Sequence, residues 1–421
     1  MLDRSTPPPF HQLKEITLIQ AQTSYLDNGI PVHSIKAGIQ PVIKVEMVFP
    51  AGTWYEKENG VAHFTGKMLR EGTHNKTSGE ISDILESMGA HLELQAGFEL
   101  SSVSFYSLNR YFEKLVSLIK ELVTEPVFSP KELENLKNIT CQGLKVKEQK
   151  NSYLASQKIR EALFGFKHPY GRYLRQEDIE PINTEDLKVF YKSHYTSLPE
   201  IIISGDLKDN YRDILNKYLG HTSFSSSITK IHHDRAKSGD IFLSKESSSQ
   251  SSIRLGKLLV TKNHPDYFQL KILNELFGGF FGSRLMKNIR EDKGYTYGIY
   301  SQLWALKHHG FMIIEADVKK EFTNQTIEEI IKEIKNLKKT KVPKQELATV
   351  KSYMLGSFIA ELNTPFSFAD KFKAIHFHGL DYDYYDKFFQ SLKDIQPSDI
   401  LKMANKYLHE DTFNQVIVGE K

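Results

Sequence analysis

The chain repeats itself. "SPKELENLKN" (Ser129 to Asn138) returns as "VPKQELATVKS" (Val342 to Ser352), with Glu132 and Leu133 matched by Glu346 and Leu347. "IIISGDL" (Ile201 to Leu207) returns as "QVIVGEK" (Gln415 to Lys421), with Gly205 matched by Gly419 at the same offset as the first pair. Two matches at one offset point to a duplicated domain. At 421 residues the chain is long enough for two such domains, each with its own core. The polar stretch "HTSFSSSITKIHHDRAKSGD" (His221 to Asp240) lies between them and reads as an exposed linker. The expected division is a domain at 1–222, a linker at 223–240 and a second domain at 241–421.

Within a half, strand and helix patterns mix. "VIKVEMVFP" alternates as a strand, and "HLELQA" and "SSVSFYSL" alternate as the two arms of a hairpin. "NGVAHFTGKMLREGT" has a helical pattern ending near Gly72. "TSGEISDILESMGA" opens on a capping box, Thr77 with Glu80, and stops at Gly89. "RYFEKLVSLIKELV" is amphipathic. The second half follows the same scheme, from "SIRLGKLLV" through "GFMIIEADV" to a helix at "TNQTIEEIIKEIKNL". Alternating strands with few βαβ signals predict an α+β fold of two similar domains, each an antiparallel β-sheet covered by helices.

Composition narrows the partners. A net charge of +3 gives no reason to expect nucleic acid or an anionic membrane, and no apolar run is long enough to span a bilayer. "MLDRSTPPPFHQLKEITLIQ" has prolines where a secretion signal would have its apolar region. The single Cys141 excludes an internal disulfide framework and a cysteine-based zinc site. These observations predict a cytoplasmic chain.

The chemistry concentrates in "NGVAHFTGKMLREGTHNKTSGE" (Asn59 to Glu80). An inverted zinc-peptidase helix, H-x-x-E-H, places two imidazoles at i and i+4 on one face. A carboxylate at i+3 serves there as general base on the zinc-bound water, and a third ligand comes from a distant helix. In this register His63 is present, but Gly66 occupies the base position and Lys67 the second ligand position. An ammonium repels a divalent cation, and one imidazole cannot hold zinc tightly.

The residues around the gap carry a match. "GVAHFTGKMLREGT" resembles the active-site helix of the pitrilysin (insulinase) family of zinc peptidases, which reads like G-L-A-H-F-L-E-H-M-L-F-K-G-T. The resemblance continues through "EISDILESMGAHLELQAGFELSSVSF", "HPYGR" (His168 to Arg172), "EIIISGDL" and "FGGFFGSRLMKNIREDKGYTYGIYS" (Phe277 to Ser301), and so spans nearly the whole chain. Counting back from "HPYGR" puts the family's third ligand, a Glu, at about Leu144, with Glu148 one turn further on. The family also carries an Arg followed seven residues later by a Tyr, in a second domain facing the zinc. "IREDKGYTYGIYS" keeps both, as Arg290 and Tyr297. A phenol there can stabilise the oxyanion of a peptide carbonyl, and a guanidinium can orient the peptide.

The resemblance implies a division of labour. Small members of the processing-peptidase type work as dimers in which one subunit's zinc helix faces the other's Arg–Tyr pair, and some pair a zinc-binding with a zinc-less subunit. This chain resembles the zinc-less one. It is expected to bind no metal, with zinc in a homologous partner subunit, and to take unfolded peptides. In the family a peptide adds a strand to the edge of the first sheet, here "AHLELQA" (Ala90 to Ala96), where "ELQ" replaces the usual Asn-Ala. Two other readings compete: a scaffold protein on a retired peptidase fold, and a peptidase with unorthodox ligands. Arg290 and Tyr297, useless to a scaffold, favour the first reading, and Gly66 opposes the third. Taken singly, His63 reads as a packed remnant, Arg290 as a surface ion-pair residue and Tyr297 as a core aromatic.

The other clusters read as structural. "IHHD" (Ile231 to Asp234) and "KHHG" (Lys307 to Gly310) hold adjacent histidines, which do not share a face. "HFH" (His376 to His378) converges only if extended, and it lies in a helix or loop pattern. "KEIKNLKKTKVPK" reads as a solvated helix end, and the aromatics of "LDYDYYDKFFQ" as packing a helix against a sheet.

Overall fold

The computed structural model describes residues 16–225, 231–236, 239–246 and 248–420. The prolines of the N-terminal stretch, Lys421, and the parts of the linker at 226–230 and 237–238 lie outside the described residues.

Two sheets mirror the repeat. The strands of the first are β1 (Gln22–Tyr25), β2 (Pro31–Lys36), β3 (Val42–Phe49), β4 (His91–Ala96), β5 (Ser101–Leu108) and β6 (Glu200–Gly205), in the order β1-β2-β6-β3-β5-β4. Those of the second are β7 (Ile241–Ser244), β8 (Gln250–Leu259), β9 (Thr296–Ala305), β10 (Gly310–Lys319) and β11 (Asn414–Gly419), in the order β7-β11-β8-β10-β9. The sheets are antiparallel except for one pair each: β2 runs parallel to β6, and β11 to β7. The departure has a simple cause. The last strand of each half returns through helices and inserts between two strands laid down earlier.

Gly205 and Gly419 show why the repeat kept a glycine. They end β6 and β11 at φ 122° and 135°. A Cβ on Gly205 would lie 2.2 Å from the Val42 carbonyl oxygen, and one on Gly419 would lie 2.8 Å from Ser251 Cα. Both the backbone angle and the close approach of the next strand exclude a side chain.

The helices of the first half are α1 (Val61–Met68), α2 (Ser78–Ser87), α3 (Phe112–Thr124), α4 (Pro130–Glu148), α5 (Asn151–Phe164), α6 (Gln176–Ile179), α7 (Thr184–His194) and α8 (Tyr211–Leu219). Those of the second are α9 (Tyr267–Asn274), α10 (Thr323–Lys339), α11 (Lys344–Glu361), α12 (Pro365–His376), α13 (Asp383–Asp394) and α14 (Pro397–Tyr407). The capping box at Thr77 is formed in both directions. Helix α1 stops at Met68, a turn before Gly72, which instead bridges to Thr77. Helix α13 buries Tyr385, Phe388 and Leu392 against helical neighbours, not a sheet: Phe388 packs on Phe268 of α9 and Phe358 of α11. The repeated "PKELENL" and "PKQELAT" segments begin α4 and α11, and bury Leu133 and Leu347 at matching places in the two cores.

Each half covers one face of its own sheet and lends a helix to the other's. On α5, Ala155, Ile159, Leu163 and Phe164 pack on Phe311, Ile313, Val416 and Val418 of the second sheet. Gly256 on β8 makes room, since a Cβ there would meet Ile159 at 2.7 Å. Reciprocally, Ala369 and Phe372 of α12 pack on Ile35, Val48 and Ile202 of the first sheet. Both faces of β3 are thereby buried. Ile43, Val45, Met47 and Phe49 point into the first core, while Lys44 and Glu46 lie under α12.

The linker is pinned where it is described. The Trp54 indole donates to the Ile231 carbonyl at 3.2 Å, His233 Nε2 lies 2.7 Å from the Trp54 carbonyl, and the Ala236 amide donates to the Phe164 carbonyl at 3.1 Å. No helix among the described residues is long and apolar enough to cross a membrane.

Candidate functional site

Helix α1 keeps its foundations. Glu56, 4% exposed, accepts hydrogen bonds on Oε2 from the backbone amides of Gly60 (3.2 Å) and Ala62 (3.0 Å). Arg172, the last residue of "HPYGR", sits 3.5 Å from its other oxygen. Burial pushes the Glu56 carboxyl up to about 7, against the pull of those amides and the guanidinium. Glu56 Oε2 thereby satisfies two backbone N–H groups at the start of the helix that have no intrahelical partner.

Of the positions that the resemblance assigns to the metal site, only His63 carries a side chain able to ligate zinc. Burial, then the charges of Lys67 and Lys147, lower the His63 pKa to about 4, so its imidazole is neutral at neutral pH. Gly66 is buried, and a Cβ there would lie 3.0 Å from the Tyr195 hydroxyl. Tyr195 thus stands where the stem of a general base would leave the helix. Leu144 on α4 is 6% exposed and belongs to the same core as α1. Glu148, one turn on, accepts from Gln176 Nε2 at 2.9 Å. One neutral imidazole beside two ammonium groups does not fit zinc, which needs three protein ligands even at a catalytic site.

A repair tests this placement. Gly66→Glu, Lys67→His and Leu144→Glu, combined with Tyr195→Phe to clear the new side chain, are expected to create a zinc site. Metal analysis with and without His63→Ala checks it: zinc that depends on His63 is the expected outcome, and none would show that the third position is not Leu144.

The second half presents the other pair. A π-helical turn over Glu275–Gly279 follows α9 and takes in the first three residues of "FGGFFGSR", and a second π-helical stretch spans Met286–Asp292 and carries Arg290. Such turns are rare and recur at functional sites. The Arg290 guanidinium lies over the Phe281 ring, 4.6 Å from its centroid, and forms no ion pair with any described residue. Tyr297 is on β9, the edge strand of the second sheet. The β9–β10 register slips between Thr296 and Ile299, a bulge that breaks the strand's alternation beside Tyr297. Tyr297 emerges 90% exposed, and its hydroxyl has no hydrogen-bond partner among the described residues. Among the described residues, neither structural role considered from sequence is seen: Tyr297 is not in the core, and Arg290 has no ion-pair partner. The predicted edge "AHLELQA" is also an edge, as β4.

Sequence reasoning missed a further cluster, in which histidines converge across elements. His33 Nε2 on β2 lies 2.9 Å from Glu200 Oε2 on β6, and His376 Nε2, at the end of α12, lies 2.5 Å from the same oxygen. "HFH" alone could not reveal it, because its partners are separated by most of the chain. The "IHHD" pair splits as its spacing predicts, His233 contacting Trp54 while His232 faces solvent beside Asp234; of the "KHHG" pair, His308 stacks on Trp54 at 4.0 Å and His309 turns to Phe164 at 5.8 Å.

Comparison with known proteins follows the same outline. The family model for Insulinase (Peptidase family M16) matches residues 32–176, and that for Peptidase M16 inactive domain matches residues 181–354. An uncharacterized zinc protease, YmxG, of Bacillus subtilis is 23% identical over 84% of this chain and 85% of its own length. The non-peptidase homolog YmxG of Helicobacter pylori is 25% identical over 78% and 77%. The crystal structure of a peptidase M16 inactive domain from Pseudomonas fluorescens superposes with a TM-score of 0.86 at 26% identity, covering 95% of this chain and 98% of that one. Two further matches are, by their names, subunits of larger assemblies. Cytochrome b-c1 complex subunit 1 of Bos taurus is 25% identical over 48% of this chain and 43% of its own length. Mitochondrial-processing peptidase subunit beta of Mus musculus is 22% identical over 62% and 55%.

Proposed function

This chain belongs to the insulinase family of peptidases, family M16, and we propose that it is an inactive member, serving as the non-catalytic, peptide-binding subunit of a heterodimeric zinc peptidase. On this reading the chain binds no metal at α1. A homologous subunit with an intact H-x-x-E-H supplies the zinc, and Arg290 and Tyr297 complete the partner's site. The observation that carries the reading is the state of Tyr297, a phenol 90% exposed on an edge strand with its hydroxyl free of any described partner. A large aromatic held out in water by a bulge gains nothing for the fold, whereas an oxyanion donor must present its hydroxyl outward. The unpaired edge of β4 supports peptide docking by strand addition, which uses main-chain hydrogen bonds.

The chemistry divides between the chains. Zinc in the partner would polarise the scissile carbonyl and activate water. This chain's part is to hold the peptide with the Arg290 fork and to donate the Tyr297 hydroxyl to the developing oxyanion. Co-purification from the native host tests the assignment. The expected result is a complex with a second family member carrying H-x-x-E-H, with peptidase activity lost when that subunit's motif is mutated. Isolation of the chain with no such partner would favour a scaffold.

A further inference from the structure

We propose that His33, Glu200 and His376 form a divalent-metal site, suited to Zn²⁺, that ties the two halves of the chain together across their seam. The site is separate from the degenerate zinc helix, and it does not depend on the function proposed above.

The donor set is that of a zinc site with an open position: two imidazoles and a carboxylate. One ligand atom from each lies within 4.8 Å of the other two. Both Nε2 atoms approach Glu200 Oε2, and no hydrogen bond among the described residues engages Oε1. Bonds of about 2.0–2.2 Å to zinc place such atoms slightly further apart than they now stand, so the ion enters by small side-chain shifts.

The surroundings orient the ligands. His33 is 3% exposed, and its Nδ1 lies 2.9 Å from Thr23 Oγ1. With Nδ1–H donating to that hydroxyl, the Nε2 lone pair points at the cluster, the usual outer support of a ligating histidine. His376 closes α12, where the helix carries its negative end, which favours a cation. The cation one turn earlier, Lys373, is committed to Glu46 at 2.6 Å.

Access is provided. Glu200 lines a cavity of about 750 Å³ between the halves, bounded also by Trp54, Tyr55, His308 and Phe377. The Glu200 and His376 side chains are 31% and 32% exposed, so an ion can enter and keep a water. Two ligands come from the first sheet and the third from the helix lent by the second half. The site is therefore complete only when α12 is docked, and metal stabilises that docking.

The test uses the untagged full chain, stripped with a chelator and titrated with Zn²⁺ at neutral pH. One equivalent is expected to bind and raise the thermal midpoint in a saturable way. His376→Gln, which keeps a polar group at the seam, and Glu200→Ala should abolish both effects. Thr23→Val should weaken binding about 10- to 100-fold, and His63→Ala should leave it unchanged. Zinc binding that survives His376→Gln overturns the proposal, as does a seam that responds to pH but not to metal. Zinc lost with His63→Ala instead would place the ion on α1 and also refute the metal-free reading of that helix.

Discussion

Heterodimers in which this chain carries Tyr297→Phe are expected to cut an unfolded peptide about a hundred- to a thousandfold more slowly than wild type, with assembly and the partner's zinc content intact. That is the usual cost of removing one oxyanion donor. The substitution removes a single oxygen from a ring that is already exposed, so the fold has no reason to respond. Arg290→Ala should raise KM as well as lower kcat, because the guanidinium holds the peptide in addition to its transition state. Arg290→Lys should not recover the loss, since a point charge cannot reproduce the planar fork that lies over Phe281. The measurement is cleavage by each variant mixed with the wild-type zinc subunit. Wild-type rates for both Tyr297→Phe and Arg290→Ala would leave this chain a structural role only.

What could be read from sequence was local or periodic. The duplicated segments led to two sheets of like topology, Thr77 and Glu80 to a helix start, and "AHLELQA" to a sheet edge. Gly66 and Lys67, at the base and second-ligand positions of the motif, are equally plain in the sequence, because a ligand set is a matter of residue type. What stayed hidden depends on contacts remote in sequence. The exchange of α5 and α12 between halves leaves no periodic trace, since a helix packed on a foreign sheet has the same apolar stripe as one packed at home. The alternation in "VIKVEMVF" marks a strand but not what covers its polar face, where α12 buries Lys44 and Glu46. Tyr195 filling the space beside Gly66, and His376 joining His33 and Glu200, are likewise meetings of distant segments.

That buried polar face leads to a second large effect. Glu46 is 2% exposed and receives Lys373 Nζ at 2.6 Å and Lys44 Nζ at 3.2 Å. Lys44 is 5% exposed, and its other carboxylate, Asp370, lies 3.3 Å away with its side chain half in solvent. Glu46→Ala would leave the Lys44 ammonium buried with that one partner. Breaking a buried pair from one side costs about 3–5 kcal/mol. Lys44→Met with Glu46→Leu removes both charges and should recover most of the loss, because an apolar replacement avoids the desolvation as well as the attraction. Urea unfolding of the three proteins checks this, and a Glu46→Ala midpoint close to wild type would show that water reaches Lys44. The pH dependence has a definite sign. Burial alone would raise the Glu46 pKa, but Lys373 and Lys44 outweigh it and hold the carboxyl below its ordinary value. A depressed carboxyl contributes stability that is present above its unfolded pKa of about 4.5 and lost as pH falls toward the folded value. Lys44 is shifted up: burial opposes its charge, and the neighbouring carboxylates prevail. Its contribution is full below about pH 10.5 and fades above it. The stability of wild type relative to the Lys44→Met, Glu46→Leu chain should therefore fall at both ends of the pH range and be highest between, so that the seam between the halves is firmest near neutrality.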